Sequence, residues 1–130
     1  MMLADVRDYI ESLKLSEHTY MGKLDNKNEK SIGVYHGKRE TPYKTAIGGP
    51  SMQSYGVKSV SLLVHWNKSP REAEKASKAL FEALRDTREV KINGTTIKFI
   101  QLLYDEPSDV GTDNDGVYEM VIDAAVVYEK

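Results

Sequence analysis

The sequence predicts an α+β fold in two layers, a mixed sheet of about five strands with two helices packed on one face. Three stretches carry that expectation. Residues 58–66 alternate as a strand and lead through Ser69-Pro70-Arg71-Glu72 into a helix with an apolar stripe. Asn93-Gly94 sits between two alternating runs, the signature of a two-residue hairpin. Residues 117–128 alternate again, as one long strand.

Taken in order, Leu3, Val6, Ile10 and Leu13 recur at three- and four-residue steps and form the stripe of a short helix, which polar residues and Gly22 end. Residues 30–37 read as a strand with Ile32, Val34 and His36 on one face. Residues 38–56 contain Pro42, Gly48, Gly49, Pro50 and Gly56 and read as a long loop, a feature that in compact domains is usually functional or disordered. In the strand at 58–66, Val60, Leu62, Val64 and Trp66 face one way and Ser59, Ser61 and His65 the other, with Leu63 interrupting the polar side. Ser69 is an N-cap, and Pro70 takes the first helical position, where a missing N–H costs nothing. Glu72 is placed to complete a capping box on the Ser69 amide. Ala73, Ala76, Leu80, Ala83 and Leu84 make the buried stripe, with Phe81 on its flank, and Glu74 and Lys78 are spaced as a favourable pair. Beyond the hairpin, Ile97, Phe99 and Leu103 are expected on one face and Ile100 and Leu102 on the other. In the last strand Tyr118, Met120, Ile122, Ala124, Val126 and Tyr128 point together, opposite Glu119 and Asp123.

A length of 130 residues corresponds to a single domain, 1–130. With 40% hydrophobic and 29% charged residues the chain has the composition of a globular protein rather than a disordered one. A formal charge of −2 argues against general nucleic-acid binding, which shows as a basic excess. The absence of cysteine excludes disulfides, thiolate metal sites and a cysteine nucleophile. The first eight residues carry Asp5, Arg7 and Asp8 and no apolar core, so no signal peptide is expected, and no apolar run is long enough for a membrane span.

No catalytic set, cofactor motif or metal cage is legible. Residues 105–116 hold Asp105, Glu106, Asp109, Asp113 and Asp115 and no basic residue. Aligning Gly116 with the invariant glycine of a calcium loop puts Gly111 and Ile122 at the first and last ligand positions, where oxygen ligands are needed, and Asn114-Asp115-Gly116 is ordinary turn chemistry. A small metal-binding module or enzyme built on this acidic loop is the minor alternative. His18, His36 and His65 fall in different elements without ligand spacing. Ile47-Gly48-Gly49-Pro50-Ser51 lacks the ending of a phosphate loop. Charge placement says more. Between Gly22 and Lys58, the basic residues Lys23, Lys27, Lys30, Lys38, Arg39, Lys44 and Lys58 outnumber Asp25, Glu29 and Glu40. A basic segment and an acidic one can be two solvated loops, or complementary surfaces on neighbouring copies, in which charge selects partner and register. In the second case Arg39, Lys44, Tyr55, Asp109 and Asp113 are the expected contact residues, since tyrosine is enriched at interfaces and one heterologous contact repeated about an axis closes a ring.

Ile47-Gly48-Gly49-Pro50-Ser51, the strand at 58–66, Glu72-Ala73-Glu74-Lys75-Ala76, Ile92-Asn93-Gly94, Gln101-Leu102-Leu103 and above all residues 106–118 resemble the tailed-bacteriophage proteins catalogued as minor capsid proteins. Proteins of this kind look like tail terminators or head–tail joining proteins. The resemblance covers about residues 30–128 and implies a small structural virion protein with no enzymatic activity and no cofactor. It implies a hexameric ring that stops growth of the tail tube and joins the tail to the head connector, with tail-tube protein and connector protein as partners. Synthesis in the host bacterial cytoplasm and residence in the virion follow from the same resemblance. A capsid-side head-completion role is the alternative within virion assembly.

Overall fold

The computed structural model describes residues 1–22, 28–37 and 54–129. In chain order the elements are α1 (Leu3–Ser12), β1 (His18–Met21), β2 (Ser31–His36), β3 (Tyr55–His65), α2 (Pro70–Arg85), β4 (Arg88–Ile92), β5 (Thr95–Leu102), β6 (Ser108–Thr112) and β7 (Tyr118–Glu129). The strands form one mixed sheet in the order β1-β2-β3-β7-β5-β4, with β6 added on β7. The α+β expectation holds, with seven strands among the described residues where about five were expected. The two additional strands are β1, held by parallel pairing of His18 with Ser31 through Met21 with Val34, and β6, which pairs antiparallel with β7. Neither has an apolar alternation of its own; each is a strand because a neighbour offers it hydrogen bonds.

Both helices lie on the same face and share one core. From α1, Leu3, Val6, Tyr9 and Ile10 are buried, and from α2, Ala73, Ser77, Leu80 and Leu84. They pack against Ile32 and Val34 of β2, Val60, Leu62 and Val64 of β3, and Ile122, Ala124 and Val126 of β7. The ends of the two helices are joined inside this layer. Thr87 donates its hydroxyl to the Ala83 carbonyl at 2.8 Å, which leaves Tyr9 to donate to Thr87 at 2.7 Å. The helices cover no long apolar run: among the described residues no helix is long and apolar enough to cross a membrane.

The start of α2 differs in detail from a capping box. Ser69 accepts the Glu72 amide at 3.3 Å, as an N-cap should. The Ser69 amide, however, goes to Asn67 Oδ1 at 3.0 Å, and the Glu72 carboxylate accepts from the Asn67 side-chain amide. Asn67 thus supplies what Glu72 would have supplied directly. The β4–β5 turn is as read: Asn93 and Gly94 both adopt positive φ, 49° and 81°. Its Asn93 amide then reaches Asp5 Oδ1 at 3.0 Å and Asp8 Oδ2 at 2.8 Å, fastening the hairpin to α1.

Two expectations are corrected by pairing. The strand β3 begins at Tyr55, so Tyr55 and Gly56 belong to the sheet rather than to the preceding loop. In β5, a bulge between Ile97 and Phe99 breaks the alternation: Ile97 opposes Tyr128, and Phe99 opposes Val127. The extra residue puts Ile97 and Ile100 on the same buried side and sends Phe99 outward, where it is 40% exposed. Most of the expected loop, residues 38–53, lies outside the described residues, and Arg39 and Lys44 with it.

Leu62 is fully buried, between Val34 and Ile122 in register. Leu62→Ala should lower stability by about 2–5 kcal/mol in a denaturant titration without a change in its slope, whereas a loss under about 1 kcal/mol would place this side chain outside the core.

Candidate functional site

The acidic stretch is an arm. After Leu102 the chain bends through residues 103–107, runs out as β6, turns at 113–117 and returns as β7. The bend is anchored by the Leu103 amide on the Asp123 carbonyl at 3.1 Å. All five residues of β6 are exposed. Its pairing with β7 shifts between Asp109 and Gly111, and Gly111, at φ 88°, supplies the conformation that the bulge needs. Asp109 Oδ1 accepts the Gly111 amide at 2.8 Å, and Val110 is pushed into solvent.

Asp113 organises the turn. Its Oδ1 accepts the amides of Asp115 and Val117, both at 2.9 Å, while its backbone pairs with Val117 and Gly116. These amides, that of Val117 first, and the nearby His65 hold the Asp113 carboxyl below the usual carboxylate range. On the inner side of the turn lies His65, the last residue of β3 and 0% exposed. Glu119 stands opposite it in register, with Oε2 2.9 Å from His65 Nδ1. A carboxylate can only accept, so Nδ1 carries the proton of that bond. Nε2 faces Asp113 Oδ2 at 3.8 Å, beyond hydrogen-bond reach, and has no other partner among the described residues. His65 therefore joins three pieces: the end of β3, the start of β7 and the turn. Sequence alternation placed it on the polar face but gave no sign that the turn covers it.

The constellation has no nucleophile. Ser31 is the cross-strand neighbour of His65, but its hydroxyl donates to the Asn28 carbonyl at 3.0 Å. Among the described residues no three His, Asp or Glu side chains converge as a metal cage would require.

The chemistry of the arm faces a groove. A cleft of about 750 Å³ runs between one flank of α2 and the arm. Its floor is Phe81, Tyr118 and Met120, with Tyr104 at one end. Its walls bring Glu74 and Glu82 from the helix against Asp105, Glu106 and Asp109 from the arm, with Lys78 and Arg85 as the only cations among the described lining residues. The spacing of Glu74 and Lys78 allows an ion pair that the structure does not form; no ion pair among the described residues engages any of the five carboxylates. Of the expected contact residues, the structure brings Asp109 and Asp113 together on the arm. Tyr55 lies elsewhere, opposite Glu129 and roughly 30 Å along β7 from Asp109's partner Met120. There it is 47% exposed, beside an outward row formed by Val57, Val127 and Phe99. Phe81, Glu82, Tyr118 and Met120 were not legible as groove residues, since helix and strand meet there only in the folded chain.

The sequence matches the family described as bacteriophage tail terminator protein over residues 4–130. No curated protein matches it.

The Asp113 carboxyl has a lower pKa folded than unfolded, so its stabilising contribution is present above the ordinary carboxylate range and is lost as pH falls through the folded value. Wild-type protein should be more stable than Asp113→Asn near pH 7, and the gap should close as pH falls below the ordinary carboxylate range in denaturant titrations across pH. A gap that stays constant over that range would remove the charge from the account of the turn.

Proposed function

The chain belongs to the bacteriophage tail terminator family, and on that premise we propose that it ends growth of the tail tube as a hexameric ring of copies and joins the tube to the head connector. It acts as one domain, 1–130, made in the cytoplasm of the host bacterium and carried in the virion. Its work is shape and contact, with no bond made or broken.

The observation that carries this reading beyond family membership is the arm. A strand exposed at every residue, paired along only one edge among the described residues, is ordinarily covered or blunted in a protein that works alone. Here it borders an acidic groove whose floor holds Phe81, Tyr118 and Met120, and aromatic residues and methionine are enriched at assembly surfaces. The row of Val57, Val127 and Phe99 provides a second apolar surface on the sheet face opposite the helices. A ring subunit needs two such lateral surfaces and, in addition, one axial surface for each neighbour along the tail.

Purified protein should migrate as a ring with a central hole in electron microscopy, at a mass several times the 14.7 kDa of one chain. Added to polymerising tail-tube protein, it should shorten the tubes in proportion to its concentration. A chain that stays solitary at every concentration and leaves tube length unchanged would end this reading.

A further inference from the structure

We propose that the groove between α2 and β6 is the socket for residues 38–44 of a second copy of this chain, an inference that rests on the ring-forming reading above. The socket's chemistry selects the occupant. Five carboxylates and two cations line it, and among the described residues none of those carboxylates has a cationic partner. In the isolated chain that excess is self-repelling; a cationic segment relieves it. The floor of Phe81, Tyr104, Tyr118 and Met120 offers aromatic faces and a thioether, which suit a guanidinium, a lysine stem or a second aromatic ring. At about 750 Å³ the cleft seats several side chains rather than one.

The same chain carries the complement. Residues 38–44 read Lys38-Arg39-Glu40-Thr41-Pro42-Tyr43-Lys44, three cations with a single carboxylate, an aromatic residue and a proline. Residues 38–53 link the end of β2 to the start of β3, and a stretch of that length, out and back, extends up to roughly 25 Å from its anchors. An extended segment lying in the groove also meets the edge of β6 that no strand among the described residues covers, and gains main-chain hydrogen bonds there. The occupant is assigned to a neighbour's copy because the ring-forming reading calls for a contact between copies. Gly37, where the segment leaves, lines a small cleft with Ser59, Leu103, Tyr104 and Asp123, and Tyr104 also stands at one end of the socket, so the test below separates a neighbour's segment from the chain's own. Segment and socket are then the two halves of one heterologous contact, which repeats around a ring and closes it.

The test uses two full-length variants. In one the socket is reversed, Asp105→Lys with Glu106→Lys; both residues are exposed and neither makes a hydrogen bond among those described. In the other the segment is reversed, Arg39→Glu with Lys44→Glu. Each variant alone should fall to the 14.7 kDa monomer by mass photometry or light scattering while melting like wild type. Mixed in equal amounts the two should recover the wild-type mass, because every contact in an alternating ring pairs unlike charges. Raising the salt concentration should weaken the wild-type ring. A wild-type ring that survives both reversals overturns the socket and leaves the terminator reading standing. Recovery in a chain carrying all four substitutions, but not in the mixture, overturns it too, by placing the contact within one copy. If wild-type protein never associates, the ring reading falls and takes this inference with it.

Discussion

One strand decides where everything else sits. β7 pairs with β3 without interruption from Tyr55–Glu129 to His65–Glu119, and along its other edge β5 and β6 share it end to end. Side chains alternate across a strand, so a slip of one residue in the β3–β7 ladder would exchange the buried row of Val60, Leu62 and Val64 for Ser59, Ser61 and Leu63. The core would then face water and the helices would face hydroxyls. At one end of the ladder Gly56 lies under the Tyr128 ring, where a Cβ would require the ring to shift. At the other end the contact of His65 with Glu119 marks the register.

The arm follows from that ladder. β7 is longer than β5, so its first residues pair with a different strand, and that strand has no neighbour on its outer edge among the described residues. Exposed edge strands are tolerated in proteins that use them or defend them. Defence here is partial: a bulge at Val110, the carboxylate of Asp109 on the Gly111 amide, and a high density of negative charge. The arm is kept at a fixed angle by the Asp113 turn and by the histidine beneath it, which gives this buried, ionisable side chain a structural role. Rigid placement matters to an assembly surface, since a contact surface already in position avoids the entropic cost of ordering it on binding.

Much of the fold was legible residue by residue. The cap at Ser69, the turn at Asn93-Gly94 and the alternation from Tyr118 to Tyr128 are local signals, each satisfied within a few residues of itself, and each is found where the sequence puts it. The strands β1 and β6 were not legible, because a run such as Ser-Asp-Val-Gly-Thr reads as turn chemistry until β7 presents a ladder to it. The faces of β5 were misread for a similar reason: one bulged residue, chosen by the fit to β7, reverses the alternation beyond it. Of the candidate site, the sequence supplied the carboxylates but not the groove.

The sequence by itself determined the helices, the long strands, the hairpin and the separation of charge into two segments, since periodicity, capping and turn preference act over distances of one or two turns of chain. Tertiary structure alone decided that the outer edge of β6 has no neighbour among the described residues, which face of α2 the acidic arm meets, and that His65 is sealed under a turn some fifty residues away. Those outcomes depend on pairing between segments distant in sequence, and no local preference encodes the partner.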